Sequence, residues 1–287
     1  MTRIKKAILG IVVILFLAAA GGIWYVGMAL SSPDRSEVPS PPENLAAQVV
    51  QFPSASGSTI HGWFIKGTEK AGVIILMHGV RANRSSMIER ARFLFRAGYS
   101  VLLFDFQAHG ESPGEQITFG YLESRDAQAA VDFVRATAPG EKIGVIGVSM
   151  GGAAAVLAQP RLNIDAIVLE MVYPTIEQAT SNRLKTNLGG WASILTPLLT
   201  WQLYARLGIS PDELHPIDRI GDISVAKLII AGAEDLSTPL EESNELYSRA
   251  AAPKELWIVP GAGHVDLSIA AGEEYERRVI RFFGEHL

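Results

Sequence analysis

Ser149 stands in Gly147-Val148-Ser149-Met150-Gly151, between an apolar run from Lys142 to Ile146 and a small-residue helical pattern from Gly152 to Leu157. A serine with glycine two residues before and after it, in a strand-to-helix turn, has the pattern of a nucleophile elbow. The glycines let strand and helix approach without Cβ clashes. The turn presents the hydroxyl above the sheet edge, at a helix N-terminus whose free N–H groups can stabilise an oxyanion. A serine hydroxyl is a poor nucleophile at neutral pH, so it needs a histidine base, and the histidine needs an acid to fix its tautomer. With such an elbow the chain order is serine, acid, histidine.

Three histidines follow Ser149: His215, His264 and His286. His264 ends the glycine-rich loop Val259-Pro260-Gly261-Ala262-Gly263-His264, after the strand Glu255 to Val259, where a base can swing over the serine. His215 precedes Pro216 and reads as a turn residue; His286 reads as solvated on a terminal helix. The acid belongs in the loop after the preceding strand, Ala226 to Gly232. Asp235 is the choice there, with Glu234 beside it pointing elsewhere. Glu170 is the rival, because it ends the strand Ala166 to Leu169, while Asp266 reads as a loop cap. Two oxyanion donors are expected, the backbone N–H groups of Met150 and of Val80. Val80 follows the strand Gly72 to Met77 through His78-Gly79, and His78 is expected to brace that loop.

These residues need a frame. Gln48 to Pro53 and Thr59 to Lys66 read as a hairpin turned at Ser56-Gly57-Ser58. Buried strands then alternate with helices over 85–97, 124–138, 150–159, 239–250 and 272–287, as in a doubly wound, mostly parallel sheet. Residues 173–222 interrupt this alternation as an insertion carrying Trp191, Leu195, Leu198, Leu199, Trp201 and Leu203. These side chains either line an acyl pocket beneath a lid or pack the insertion onto the body. Arg81, Asn83 and Arg84 read either as attractors of an anionic substrate or, more commonly, as solvated loop residues.

The chain resembles an α/β-hydrolase over residues 47–287. Four motifs carry the resemblance: Met77-His78-Gly79-Val80, Asp105-Phe106-Gln107-Ala108-His109-Gly110-Glu111-Ser112, the serine elbow, and the Asp235/His264 pair. It is most similar to the short-cap branch of serine aminopeptidase-like and acyl-peptidase-like hydrolases, some of which are membrane-anchored. The resemblance implies an α/β-hydrolase fold with a short helical cap at about 173–222, and a serine hydrolase that needs no cofactor or metal. Where the family often has arginine-glycine before histidine-glycine, this chain has Gln107-Ala108, a change that bears on substrate contacts rather than on chemistry. Ser149 excludes the dehalogenases and epoxide hydrolases of this fold, which use an aspartate nucleophile.

With 287 residues, 48% of them hydrophobic, the chain can bury one sizeable core but not two large domains. Its net charge of −5, with no basic cluster beyond the first six residues, argues against a nucleic-acid partner. It has no cysteine, so disulfides and thiol catalysis are excluded. Arg3, Lys5 and Lys6 precede an uncharged run from Ala7 to Leu30, long enough to span a bilayer, with Trp24 and Tyr25 toward its outer end. Residues 1–30 are therefore expected to form a single-pass transmembrane helix, with the N-terminus cytoplasmic and the catalytic domain on the far side. Cleavage as a signal peptide near Ala18-Ala19-Ala20, giving a secreted protein, is the alternative. Residues 31–46, rich in proline, read as a stiff extended linker. The expected activity is cleavage of an ester, thioester or amide of a small-molecule acyl substrate through an acyl-enzyme. An acyltransferase on the same residues, or a non-catalytic membrane scaffold, are the alternatives.

Overall fold

The structure is a computed structural model and describes residues 3–287; Met1 and Thr2, at the start of the expected anchor, lie outside the described residues. Eight strands form the central sheet: β1 (Gln48–Pro53), β2 (Thr59–Ile65), β3 (Val73–Met77), β4 (Ser100–Phe104), β5 (Ile143–Val148), β6 (Ala166–Glu170), β7 (Ala226–Gly232) and β8 (Lys254–Val259). Their order is β8-β7-β6-β5-β3-β4-β2-β1. β2 is antiparallel to both β1 and β4, and every other pairing is parallel. The helices are α1 (Arg3–Leu30), α2 (Ile88–Arg96), α3 (Glu123–Thr137), α4 (Met150–Leu157), α5 (Ile176–Leu188), α6 (Thr196–Gln202), α7 (Leu240–Arg249), α8 (Leu267–Ala271) and α9 (Glu273–His286). This is the α/β-hydrolase arrangement, a mostly parallel sheet with helices on both faces and a long apolar helix at the N-terminus.

The strands are apolar because both faces are covered. Along β3, Val73, Ile75 and Met77 join the core beneath α3 and α4, while Ile74 and Leu76 join the core beneath α2 and α9. The same alternation runs through β4, where Leu102 and Phe104 face one side and Val101 and Leu103 the other. α3 buries Ala127, Ala130, Val131 and Val134, and α9 buries Tyr275, Val279, Phe282 and Phe283, the spacing of one helical face. The register pairs Met77 with Gly147, and Val148 with Glu170. The chain therefore leaves β3, β5 and β6 at one level of the sheet's carboxyl edge.

Two segments differ from their expected form. The helix expected over 85–97 begins as a tight 3₁₀ turn, Arg84–Met87, because extended Asn83 caps it by accepting the Ser85 N–H. The stretch expected as a stiff, extended linker is tied to the body. Asp34 and Ser36 donate backbone bonds to Ala108 and Gly110, forming a two-residue bridge beside His109–Gly110, and Leu45 is buried.

Between β6 and β7 the chain leaves the sheet for α5, a 3₁₀ turn at Gly190–Leu195, and α6, then returns through short turns ending at Asp222. α4 is buried along its whole length. Its start is pressed so closely against β3 that a Cβ on Gly151 would overlap the Met77 and His78 carbonyl oxygens, and one on Gly147 would lie 2.5 Å from Gly152 Cα. Gly151→Ala should therefore destabilise the protein by about 1–3 kcal/mol through overpacking, read as a lowered unfolding midpoint. An unchanged midpoint would show that the strand–helix contact is looser than described.

Candidate active site

Ser149 adopts φ 49° and ψ −114° at the junction of β5 and α4. A non-glycine residue at positive φ costs about 1–3 kcal/mol and persists only when its surroundings hold it. Here the Ser149 N–H donates to the Glu170 carbonyl at 2.8 Å, and the Ser149 carbonyl accepts the Ala153 N–H at 3.0 Å. The residue opens on a cavity of about 580 Å³.

The loops after β7 and β8 carry Asp235 and His264. They are tied together by Ala233 N–H to Val259 O at 3.0 Å and Glu234 N–H to Ala262 O at 2.8 Å. Asp235 is buried, with Oδ1 accepting the Ser237 and Thr238 N–H groups at 2.7 and 2.8 Å. Its Oδ2 lies 2.7 Å from His264 Nδ1. Glu234 faces solvent. With Nδ1 donating to Asp235, His264 Nε2 carries the free lone pair of a base.

Val80 and Met150 line the same cavity as Ser149, and a Cβ on Gly79 would sit 3.7 Å from Ser149 Cβ, so the loop after β3 lies against the elbow. His78 locks that loop. Its Nε2 accepts the Phe106 N–H at 3.1 Å, and Nδ1 lies 2.7 Å from the Gly79 carbonyl. Because an amide N–H can only donate, Nε2 is bare and Nδ1 carries the hydrogen. Burial, reinforced by the nearby His109, pushes the His78 pKa down to about 3.

Glu170 lies under the elbow but is fully engaged. Its carboxylate accepts from Arg90 Nε at 3.1 Å and Nη2 at 2.7 Å, and from the Tyr275 hydroxyl. Arg90 Nη1 reaches Asp266 at 3.0 Å, two residues beyond His264, and Asp266 also caps α8. The guanidinium thus bridges the elbow and the histidine loop. Sequence reasoning missed Arg90; its only signal was a cation on the apolar face of a helix. Of the loop cations, Arg84 is buried against Asp105 and Glu111, whereas Arg81 lines the cavity. Gln107 is structural, bonding the Gln116 carbonyl and Glu123, and Ala108 takes φ 60°, where the family's glycine would be unstrained. His215 bonds Glu177 and Asp218, and His286 packs on Phe282 at the C-terminus; neither approaches the cavity.

Most of the cavity wall is apolar: Phe119, Tyr173, Ile176, Leu184, Leu199 and Leu203. Leu199 and Leu203 of the insertion thus face inward, while Trp191 and Trp201 face out. Val26, Gly27 and Leu30, from the end of α1, and Ser31 just after it complete the wall. Sequence gave no signal for that, since contacts between a distal insertion and an N-terminal helix leave no local pattern.

His78 gives a pH prediction. Its folded pKa lies below its unfolded value of 6.5, so as pH falls below 6.5 the unfolded chain takes up a proton that the native state refuses. Native stability should drop by about 2 kcal/mol from this residue by pH 5. His78→Asn should be less stable than the parent at pH 7.5 but lose less on going to pH 5, measured by denaturant midpoints. Equal losses would assign the acid sensitivity elsewhere.

The sequence profile of the serine aminopeptidase family, S33, matches residues 68–206. Among solved structures the chain is similar to the esterase Pf2001 of Pyrococcus furiosus, with a TM-score of 0.74 and 25% identity, covering 90% of this chain and 98% of that one. It is 28% identical to the uncharacterised protein Rv2307c of Mycobacterium tuberculosis, over 96% of this chain and 95% of that one. It is 27% identical to the α/β-hydrolase domain-containing protein WAV2 of Arabidopsis thaliana, over 85% of this chain and 80% of that one. Strand order, elbow and these similarities agree: the chain has the α/β-hydrolase fold, and its likeness to the serine aminopeptidase family and to an esterase supports a hydrolase activity.

Proposed function

We propose that this protein is a membrane-anchored serine hydrolase that cleaves an ester, thioester or amide through an acyl-enzyme. The observation that carries the reading is Ser149, held at positive φ on a largely apolar cavity, in a fold whose last two strands lead into the loops that bring Asp235 and His264 into contact. Ser149 Oγ attacks the acyl carbonyl while His264 Nε2 takes its proton. Asp235 holds the ring in the tautomer that leaves Nε2 free and stabilises the imidazolium. The Met150 and Val80 N–H groups receive the tetrahedral oxyanion. His264 then protonates the leaving group and activates the water that releases the acid. No cofactor enters these steps. The apolar wall suits an acyl chain, and the similarity to a protein described as an esterase favours an ester.

Residues 1–30 form the anchor, 31–46 the tether and 47–287 the catalytic domain, with its cap at 173–222. α1 has the length and composition to cross a bilayer, and Arg3, Lys5 and Lys6 orient its start to the cytoplasm.

Ser149→Ala should lower kcat on a p-nitrophenyl ester by about 10⁶-fold with an unchanged melting curve. Asp235→Asn should lower kcat by about 10⁴-fold, also without loss of folding, because the imidazole takes the wrong tautomer. Glu170→Gln should do the reverse. It retains most of kcat but loses about 3 kcal/mol of stability, since Arg90 is left buried with half its compensation. A crippled kcat in Glu170→Gln beside a mild effect in Asp235→Asn would exchange the two carboxylates' roles.

A further inference from the structure

The cavity takes part of its wall from α1, so the passage of α1 across a bilayer constrains how a substrate can arrive. α6 of the cap packs on the last turns of α1. Gln202 Nε2 donates to the Ile23 carbonyl at 3.0 Å, and Ile23 packs with Leu184, Ala192 and Leu199. Arg206 donates to Ser31 Oγ at 2.8 Å and lies over the Trp24 ring, and Arg81 donates to the Ala29 carbonyl. A hydrocarbon core about 30 Å thick takes about 20 helical residues. Counted outward from Lys6, the last charge on α1, that span ends near Val26. The cap therefore grips α1 at the hydrocarbon edge, and the cavity wall from Val26 to Ser31 lies at headgroup depth.

The outer face of the cap has the chemistry of that depth. Trp191 (68% exposed), Ile194 (76%), Leu198 (50%), Trp201 (59%) and Tyr204 (65%) recur every three or four residues, beside the inward stripe of Ala192, Leu199 and Leu203. No element covers them among the described residues, and Trp24 and Tyr25 on α1, the helix that the cap packs against, are exposed as well. Tryptophan and tyrosine favour the membrane interface. From Gln178 to Pro211 the cap holds Arg183, Lys185 and Arg206 with no aspartate or glutamate, although the whole chain carries −5. Arg81, Arg183 and Arg206 line the cavity, which has no acidic residue in its wall.

We propose that the outer face of the cap seats in the leaflet around α1, and that the cavity takes its acyl chain sideways from that leaflet, from a bilayer-resident acyl amphiphile with an anionic headgroup. The inference rests on the anchored serine hydrolase reading. Seating removes the aromatic row from water, and the α1 wall makes the route from lipid to Ser149 short and apolar. The three guanidiniums hold the headgroup outside the acyl wall as charge-assisted donors.

The chain has no cysteine, so single-cysteine variants of the full protein can report depth directly. Ile194→Cys, Trp201→Cys, Ile14→Cys in mid-α1 and Glu69→Cys on an exposed loop would each carry an environment-sensitive fluorophore, in phosphatidylcholine–phosphatidylglycerol vesicles. The cap labels should be quenched by lipid-borne nitroxide and shielded from iodide, as the Ile14 label is, with the Glu69 label reversed. Cap labels that behave like Glu69 while Ile14 lies in lipid overturn the seating and leave the anchor intact. An Ile14 label in water overturns both. These readouts need no turnover, so they stand apart from the role of Ser149. For the headgroup, Arg183→Gln should lower hydrolysis of a fluorogenic phosphatidylglycerol ester in vesicles about 10-fold more than that of a neutral diacylglycerol ester. Equal effects on the two overturn the anionic preference.

Discussion

Arg90 brings a permanent positive charge to a place that is 1% exposed. A buried cation without partners would cost several kcal/mol, so the surrounding carboxylates must converge on it. Glu170 does so from the end of β6, and its backbone carbonyl holds the strained Ser149 N–H. Asp266 does so from just beyond His264, and Tyr275 completes the set from α9. One guanidinium therefore fixes the distance between the strand end that holds the serine and the loop that holds the histidine. The pair adds little net stability over an apolar replacement, but removing either partner exposes the full desolvation cost. Its value lies in geometry.

On the opposite side of the site the loop itself is locked by a neutral imidazole. His78, buried and neutral, accepts one backbone bond and donates another, fastening the Gly79-Val80 loop to the chain leaving β4. Below it, Arg84 is clamped between Asp105 and Glu111 and stacks on Trp63. A rigid floor is what preorganised donors require, since their contribution depends on not having to move as charge develops. The roof is different. The cap is joined to the body through α5 and to α1 through Gln202 and Arg206, and its inner face is a small cluster of Leu184, Ala192 and Leu199. On the proposed reading, the sheet edge bears the chemistry, and the cap and α1 the choice of substrate.

Much of this was legible in the sequence because it is local. A strand, a tight turn and a helix at Gly147 to Leu157 follow from glycine placement and apolar runs, and alternation in β3 to β7 follows from burial on both faces. The candidates Asp235 and His264 came instead from the chain order of serine, acid and histidine that goes with such an elbow. Other features were hidden because they are not local. Glu170 ends a strand and Asp235 follows one, and only the bonds across the sheet separate them: Glu170 meets Arg90 and Tyr275, and Asp235 meets His264. The proline-rich stretch read as a linker because proline favours stiff, extended backbone; the Asp34 and Ser36 N–H groups dock it through partners some 74 residues away in sequence, which no local pattern reveals. The cavity wall made by Val26 to Ser31 is invisible to any window of sequence, since its partners lie some 175 residues away at Arg206.

The most direct test of the central claim is to find where a covalent intermediate forms. Full-length protein treated with a fluorophosphonate probe, then digested and mapped by mass spectrometry, should carry one adduct, on the peptide containing Ser149, and heat-unfolded protein should carry none. An active protein that turns over esters while Ser149 remains unmodified would contradict the account.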